Sequence, residues 1–202
     1  MASGYDSSLE RERLLGQTGC VVWLTGLSGS GKTTIARLLE ARLLEAGHLS
    51  YVLDGDVIRA GLNRDLGFAT EDRRENIRRA GEVAALFADA GVIVVTAFIS
   101  PFEKDRRRVR ARVPAGRFLE IYLSAPLEVC ERRDPKRLYA KARAGEIPDF
   151  TGIGSPYEPP LNPDLTLDTV TLEPSTCVEL IFGLLESREM LAPPANSEGP
   201  AR

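Results

Sequence analysis

The chain has 202 residues, of which 43% are hydrophobic and 27% charged, which suits one α/β domain and leaves little room for a second. A formal net charge of -3 argues against a basic nucleic-acid-binding protein, and three scattered cysteines with one histidine argue against a disulfide framework or a multi-histidine zinc centre. No apolar run reaches the length of a membrane span and the amino terminus lacks a signal-peptide layout, so we expect a cytoplasmic protein without membrane or nucleic-acid partners.

The first half of the chain predicts alternating strands and helices. Residues 1–18 are mostly polar and are interpreted as a leader. The apolar run 21–25 predicts a buried parallel strand, followed by a glycine-rich turn. From Lys32 the apolar residues recur at helical spacing until Gly47, which predicts a helix. A second short strand is predicted at 51–53.

The second half continues the same alternation. Thr70 is the candidate N-cap of a long helix, and 92–95 and 118–123 predict two more strands. Residues 165–168 predict a fifth strand, and a last helix begins near Pro174. The sequence therefore predicts an α/β fold of three layers, in which a mainly parallel five-stranded sheet is flanked by helices. Ligands are expected at the carboxyl ends of its strands.

Two segments depart from this periodicity. Residues 134–164 are rich in proline, glycine and charge, and we interpret them as a mobile lid over the site. Residues 192–202 have the composition of a disordered tail. The prediction is thus a single domain over 19–191 that includes the lid.

A phosphate-binding motif lies between the first predicted strand and the helix that follows. The pattern G-x-x-x-x-G-K-[ST] is matched at every fixed position by Gly26, Leu27, Ser28, Gly29, Ser30, Gly31, Lys32 and Thr33, and Thr34 follows as a further nucleotide-binding candidate. The glycines let backbone N–H groups approach phosphate oxygens, Lys32 supplies positive charge and the Thr33 hydroxyl can ligate Mg²⁺. A dinucleotide site is disfavoured because Thr34 stands where the G-x-G-x-x-G pattern needs glycine.

Two carboxylates follow the second predicted strand. Asp54 and Asp56 are expected near the phosphate loop, where a carboxylate can accept a hydroxyl proton or hold a metal-bound water. Asp56 is the first choice for both the catalytic and the metal role, and Asp54 the second. The alternative is a polar turn that caps the next helix. A GTPase or regulatory ATPase is disfavoured because the N-K-x-D element is absent from the sequence.

Several further strings occur in a fixed order along the chain. They are L-D-G-D-V-I-R-A-G-L-N at 53–63, D-L-G-F at 65–68, D-R-R-E-N-I-R-R at 72–79, F-I-S-P at 98–101, K-A-R-A-G-E-I at 141–147 and F-T-G-I at 150–153. From about residue 19 to 185 the chain resembles adenylylsulfate kinase. The resemblance implies a P-loop fold of the nucleoside-monophosphate-kinase type. It also implies phosphorylation of the 3′-hydroxyl of adenosine 5′-phosphosulfate by MgATP, in sulfate activation.

The resemblance also implies roles for individual residues on the acceptor side. Arg59, Arg73 and Asn76 would hold the phosphosulfate and ribose, because a guanidinium can meet two anionic oxygens at once. Phe68 and Phe150 would sandwich the adenine. Taken alone, the arginines would more often be solvated charges and the phenylalanines core residues.

The remaining candidates lie in the lid and in the F-I-S-P string. Lys136 and Lys141 would bring positive charge to both phosphate chains on closure, and Ile99 with Ser100 would lie beside the substrates. The lid departs from the family's pattern at Arg137, Ala140, Pro148, Asp149 and Gly154.

Ser100 has three candidate roles. It could be a covalent phosphoserine carrier, a turn hydroxyl before Pro101, or a group that positions phosphate or acceptor oxygens; positioning is favoured, because no histidine base is near in sequence. The basic stretch 104–112 is interpreted as a solvated helix face, with one or two arginines turned to the anionic site. A P-loop kinase of another alcohol or nucleotide, a nucleotide-dependent switch, and a homodimer remain alternatives.

Overall fold

The strands of the molecule form one parallel sheet, which we describe from a computed structural model for residues 7–191. The strands are β1 Cys20–Thr25, β2 Ser50–Asp54, β3 Ile93–Ala97, β4 Phe118–Ser124 and β5 Leu165–Asp168. The helices are α1 Ser7–Leu15, α2 Lys32–Glu45, α3 Gly55–Ala60, α4 Thr70–Asp89, α5 Glu103–Arg110, α6 Leu127–Arg133, α7 Leu138–Arg143 and α8 Pro174–Ser187. No helix within 7–191 is long and apolar enough to cross a membrane.

The order of the strands is β2-β3-β1-β4-β5, and every neighbouring pair is parallel. All six residues of β1 are buried, since this central strand is covered on both faces. Val22 and Leu24 pack into a core beneath α2 and α8, whereas Val21 and Trp23 pack into a second core beneath α4 and α5. This confirms the predicted three-layer sheet with helices on both faces.

Several local expectations need correction or addition. Helix α4 begins at Thr70 but its N-cap is Ala69, which makes no side-chain cap, so Thr70 is not the cap. Three short helices, α3, α6 and α7, were not expected, and α7 lies inside the predicted lid. Each is six or seven residues long, which is too short for a helical period to stand out in the sequence.

The amino-terminal helix α1 packs on the domain, whereas the sequence predicts only a polar leader over residues 1–18. The Arg11 guanidinium donates to the Asp89 backbone carbonyl at 2.8 and 3.0 Å, and Glu12 forms an ion pair with Arg117. Gln17 Nε2 donates to the carbonyls of Leu49 and Gly91, each at 2.8 Å. Residues 7–17 therefore belong to the folded unit. Residues 1–6 and the predicted tail, 192–202, lie outside the described residues.

Candidate active site

A cavity of about 700 Å³ opens at the carboxyl ends of the strands, where the sheet order predicts ligands. The phosphate loop, residues 26–33, forms its floor, and helices α3 and α4 form one wall. The lid and the turn before α8 complete the boundary. Of the predicted residues, those that line it are Ser28, Gly29, Ser30, Gly31, Lys32, Thr33, Thr34, Asp54, Asp56, Arg59, Phe68, Arg73, Asn76, Ile99, Ser100, Lys136 and Phe150.

The phosphate loop owes its shape to glycines in left-handed conformations. Gly29 has φ 78° and Gly31, immediately before α2, has φ 95°. A Cβ atom at Gly29 would lie 2.8 Å from the Cys130 carbonyl oxygen, so the loop admits no larger residue there without rearrangement. The Ser30 hydroxyl is buried and has no hydrogen-bond partner among the described residues. A buried hydroxyl without a partner indicates a place for a ligand oxygen.

Lys32 is held inside the phosphate loop. Its Nζ donates to the carbonyls of Gly26 and Leu27 at 2.9 and 2.7 Å, although neither residue lines the cavity. Burial, with a smaller contribution from the charge of Lys136, lowers the pKa of Lys32 to about 8. An anion in the loop would oppose both effects and hold the ammonium group charged.

The two carboxylates occupy different environments. The Thr33 hydroxyl donates to Asp54 Oδ2 at 2.8 Å, and the backbone N–H of Asp56 donates to Asp54 Oδ1 at 2.9 Å. Asp54 is buried and caps α3, whereas the Asp56 side chain is 67% exposed and forms an ion pair with Lys136 of the lid. The alternative of a capping turn is thus correct for Asp54, whose second oxygen also faces the predicted metal-binding hydroxyl.

On the acceptor side an arginine and a phenylalanine stack at the mouth of the cavity. The Arg59 guanidinium carbon lies 4.5 Å from the centroid of the Phe68 ring, and its NH1 donates to the Gly67 carbonyl at 2.9 Å. Phe68 is 61% exposed, so it is not a core residue. An exposed aromatic ring fixed by an arginine offers a flat apolar face to a planar ligand.

Deeper in the same wall, Arg73 joins α4 to the lid. Its NH1 donates to the Asp149 carbonyl at 2.8 Å and to the Thr151 hydroxyl at 3.1 Å. Its Nε and NH2 are buried and have no partner among the described residues, and burial lowers the pKa of Arg73. Nearby, Asn76 Oδ1 accepts from Asn63 Nδ2 at 3.0 Å, which leaves the Asn76 amide nitrogen for a ligand.

The lid reaches the phosphate loop through two aromatic side chains. Phe150 packs edge-on against Tyr139 at a centroid distance of 5.0 Å, and the Tyr139 hydroxyl donates to the Ser28 carbonyl at 2.9 Å. Lys136 contacts Asp56 as described above, but Lys141 is exposed on α7 and does not line the cavity. One of the two predicted lid lysines is therefore at the site and the other is not.

Ser100 is at the cavity, but its hydroxyl is turned into the protein. The side chain donates to Thr25 Oγ1 at 2.9 Å and accepts from Trp23 Nε1 at 3.1 Å, and the residue is 1% exposed. The backbone of Ser100 is left-handed, with φ 41°. The hydroxyl is thus not placed to contact phosphate or acceptor oxygens, and only the backbone of Ser100 is available to a ligand.

The far end of the cavity contains residues that the sequence did not suggest. Arg133, at the end of α6, donates through NH2 to the Thr169 carbonyl at 2.6 Å and lies with Val170, Leu172 and Pro174 on the cavity wall. The available signal for Val170, Leu172 and Pro174 was their position after the fifth predicted strand, and for Arg133 its position after the fourth. In the basic stretch, Arg107 and Arg108 are solvated as expected, whereas Arg106 is buried. No arginine of 104–112 lines the cavity, so the expectation that one or two of them face the anionic site is wrong.

Comparison with known proteins agrees with this geometry. The adenylylsulphate kinase family matches residues 18–168. A probable adenylyl-sulfate kinase of Halalkalibacterium halodurans is 58% identical over 91% of each chain, and an adenylyl-sulfate kinase of Marinobacter nauticus is 56% identical over 90% of this chain and 92% of the relative.

One similar protein of known structure has been solved with two ligands bound. The Mycobacterium tuberculosis APS kinase, in complex with AMPPNP and APS, superposes with a TM-score of 0.80 at 50% identity, covering 84% of this chain and 99% of that one.

Proposed function

The chain belongs to the adenylylsulphate kinase family, and from that premise we propose how its cavity carries out the reaction. The enzyme transfers the γ-phosphoryl group of MgATP to the 3′-hydroxyl of adenosine 5′-phosphosulfate (APS), giving ADP and 3′-phosphoadenosine 5′-phosphosulfate. This is an ATP-dependent phosphotransferase reaction of sulfate assimilation.

One observation supports the placement of two anionic substrates in this cavity. Among the residues that line the cavity, buried donors without partners occur in two places, at the Ser30 hydroxyl on the phosphate loop and at Nε and NH2 of Arg73 on the opposite wall. Buried polar groups are almost always satisfied, so each place indicates an anionic ligand. A switch that binds a nucleotide alone would need only the first.

On the ATP side, we assign the phosphates to the backbone of the phosphate loop and to Lys32. The fit is supported by the left-handed glycines and by the free Ser30 hydroxyl. The Mg²⁺ that accompanies ATP neutralises phosphate charge, and Thr33 with Asp54 would hold it or its waters.

On the acceptor side, we assign the adenine of APS to the space between Phe68 and Phe150. Arg59, Arg73 and Asn76 then meet its phosphosulfate and ribose, and the 3′-hydroxyl faces Asp56. Asp56 accepts the hydroxyl proton as the oxygen attacks the γ-phosphorus and ADP leaves. Lys136, which is paired with Asp56, would exchange this partner for phosphate oxygens as the substrates enter.

Three broader features belong to the same proposal. Residues 19–191, together with the segment 7–17 that packs on them, form one kinase domain in which 134–164 act as the lid, and the protein works in the cytoplasm. We also propose a homodimer. Exposed apolar side chains at Tyr51 and Leu86, near the β2 edge of the sheet, support an association surface. Light scattering of the purified chain measures the mass, and a monomer at micromolar concentration would refute the dimer.

The acceptor assignment is tested by replacing Arg73 with methionine. Because this residue offers two unsatisfied donors to an anion, Arg73→Met should raise the KM for APS by roughly 10- to 100-fold, as expected for charge-assisted hydrogen bonds. The KM for ATP should change little. A coupled assay of ADP release measures both constants.

Arg74→Met is the matched control. Arg74 is on the same helix but is exposed, does not line the cavity and pairs with Glu71 at 2.6 Å. If both variants behaved like the wild type, or if Arg73→Met affected only ATP, the acceptor wall would be misassigned. If the wild-type enzyme released ADP equally with other alcohols, another kinase activity would be indicated.

A further inference from the structure

Arg106 is a buried arginine that no part of the reaction so far requires. It is 1% exposed, and it donates from three different nitrogens to three elements of the fold. Nε donates to Glu120 Oε1 on β4 at 2.7 Å, NH1 to the Ser100 carbonyl at 2.8 Å and NH2 to the Glu158 carbonyl at 2.8 Å. These contacts use the planar fork of the guanidinium, which a lysine lacks.

The first of its two backbone partners is the strained residue of the acceptor loop, which we define as residues 98–101. Ser100 is not glycine, yet its φ of 41° lies in the left-handed region, where the Cβ atom crowds the backbone. Trp23 and Thr25 hold its side chain, and Arg106 holds its carbonyl oxygen. The backbone that lines the cavity is therefore fixed from behind.

The second backbone partner is the carboxyl-terminal end of the lid. The Glu158 N–H donates to the Pro101 carbonyl at 2.8 Å, and Glu158 Oε2 accepts from the Glu103 N–H at 2.7 Å. One residue earlier, the Tyr157 hydroxyl lies 3.0 Å from Thr25 Oγ1. Arg106 thus joins the fixed acceptor loop to the point where the lid leaves the domain.

We propose that Arg106 is a positioning residue, which fixes the acceptor loop and the base of the lid in the arrangement that receives APS. The proposal rests on the function assigned above. It predicts an effect on the acceptor rather than on ATP, because β3 and its loop lie beside β2, α3 and α4, on the side of the sheet assigned to APS.

The charges around Arg106 make it possible to separate an effect on the acceptor loop from an effect on stability. Glu120 is shared between Arg106 and Arg110, and Arg110 also donates to Asp164 at 2.9 Å. Arg110 belongs to the same network of charges, but its guanidinium donates to the Phe118 carbonyl, Glu120 and Asp164 and not to the acceptor loop or Glu158. Arg110→Met is therefore the matched control.

The experiment compares Arg106→Lys, Arg106→Met and Arg110→Met in the full chain. For both Arg106 variants we expect the KM for APS to rise about tenfold or more and the KM for ATP to stay within about twofold, as for loss of hydrogen bonds on one side of the site. Amide exchange in peptides covering 98–102 and 156–159 should accelerate. Arg110→Met should leave both KM values and this exchange near those of the wild type.

A double variant guards against a simple loss of stability. Removing Arg106 alone leaves Glu120 partly uncompensated, so Arg106→Met combined with Glu120→Gln should regain thermal stability. Under the proposal the raised KM for APS persists in this double variant. The proposal is overturned if the KM recovers with stability, if Arg110→Met gives the same defect, or if Arg106→Lys leaves the KM for APS unchanged. Failure of the wild-type enzyme to use APS would instead refute the proposed function.

Discussion

The phosphate loop and the acceptor loop leave neighbouring parallel strands at the same edge of the sheet, but they hold their shapes by different means. In the phosphate loop, Gly29 and Gly31 adopt left-handed conformations without steric cost. In the acceptor loop, Ser100 adopts one against its intrinsic preference and is held there by Trp23 and Arg106. One loop is therefore shaped mainly by its own residues and the other by tertiary contacts.

This difference predicts that the largest functional effects come from single residues of the phosphate loop. Lys32→Ala removes the only lysine or arginine in the loop, so we expect transfer to fall by about 10³-fold or more, or about 4 kcal/mol of transition-state stabilisation. Single-turnover kinetics with saturating ATP and APS measure the loss. Arg37→Ala, on the exposed face of α2, is the control, and a Lys32→Ala variant that kept a tenth of the wild-type rate would contradict the assignment.

Variants of the two carboxylates beside the phosphate loop should differ in how their rates depend on the Mg²⁺ concentration. Asp54→Asn keeps an N-cap for α3, since asparagine caps well, but it weakens the acceptor of the Thr33 hydroxyl and should raise the Mg²⁺ concentration needed for half-maximal rate. Asp56→Asn should lower kcat by about 10²-fold without that shift, as expected for loss of a general base. Mg²⁺ titrations of both variants test this. If Asp56→Asn raised the Mg²⁺ requirement and Asp54→Asn did not, Asp56 would be the carboxylate beside the metal.

The same contrast explains what the sequence could predict. The phosphate loop was found from its motif because its conformation depends on residues within eight positions, and the sheet was found because buried parallel strands are continuous apolar runs. The burial of Arg106 was not predicted. Its partners Glu120 and Glu158 are 14 and 52 residues away, so the sequence around Arg106 shows a basic stretch and gives no sign of these contacts.

Among the site residues, too, some properties follow from the local sequence and others depend on tertiary contacts. Arg73 and Phe68 were identified by resemblance, but the free donors of the one and the exposure of the other required the structure. Lys141 was identified by the same resemblance, but it does not line the cavity. It lies on α7, and a helix directs successive side chains to different faces, so the sequence pattern alone did not show which of them face the cavity. Arg133 was not predicted as a site residue, because α6 has only seven residues and its helical period does not stand out in the sequence.

The two aromatic residues of the acceptor site offer an intermediate test. Phe68→Ala should weaken APS binding by about 1–3 kcal/mol, as expected for stacking on a base. It should leave the free energy of unfolding nearly unchanged, because the ring is exposed. Phe150→Ala should weaken binding similarly but also lower stability, since Phe150 packs on Tyr139. Calorimetric titration and thermal unfolding measure the two effects. A large loss of stability in Phe68→Ala would contradict the exposed position.

The smallest functional effect is expected at the Ser100 hydroxyl. It is buried against Trp23 and Thr25, so Ser100→Ala removes two hydrogen bonds and leaves the buried Trp23 Nε1–H without its acceptor, and should lower the free energy of unfolding by about 2–3 kcal/mol. Turnover should stay within about threefold of the wild type, because a residue that acts through its backbone loses little with its side chain. Chemical denaturation and steady-state kinetics give both quantities.

A comparison with glycine at the same position completes the test. Ser100→Gly loses the same hydroxyl as Ser100→Ala, but glycine adopts φ 41° without strain, so it should be the more active of the two if backbone geometry is what matters. Incubation with labelled ATP alone, followed by mass spectrometry of the peptide that contains residue 100, addresses the covalent alternative. The buried hydroxyl predicts no phosphoserine in the wild type. A phosphoserine that formed and discharged at the rate of turnover, together with an inactive Ser100→Ala variant, would show that the hydroxyl reaches ATP and that the acceptor loop opens during catalysis.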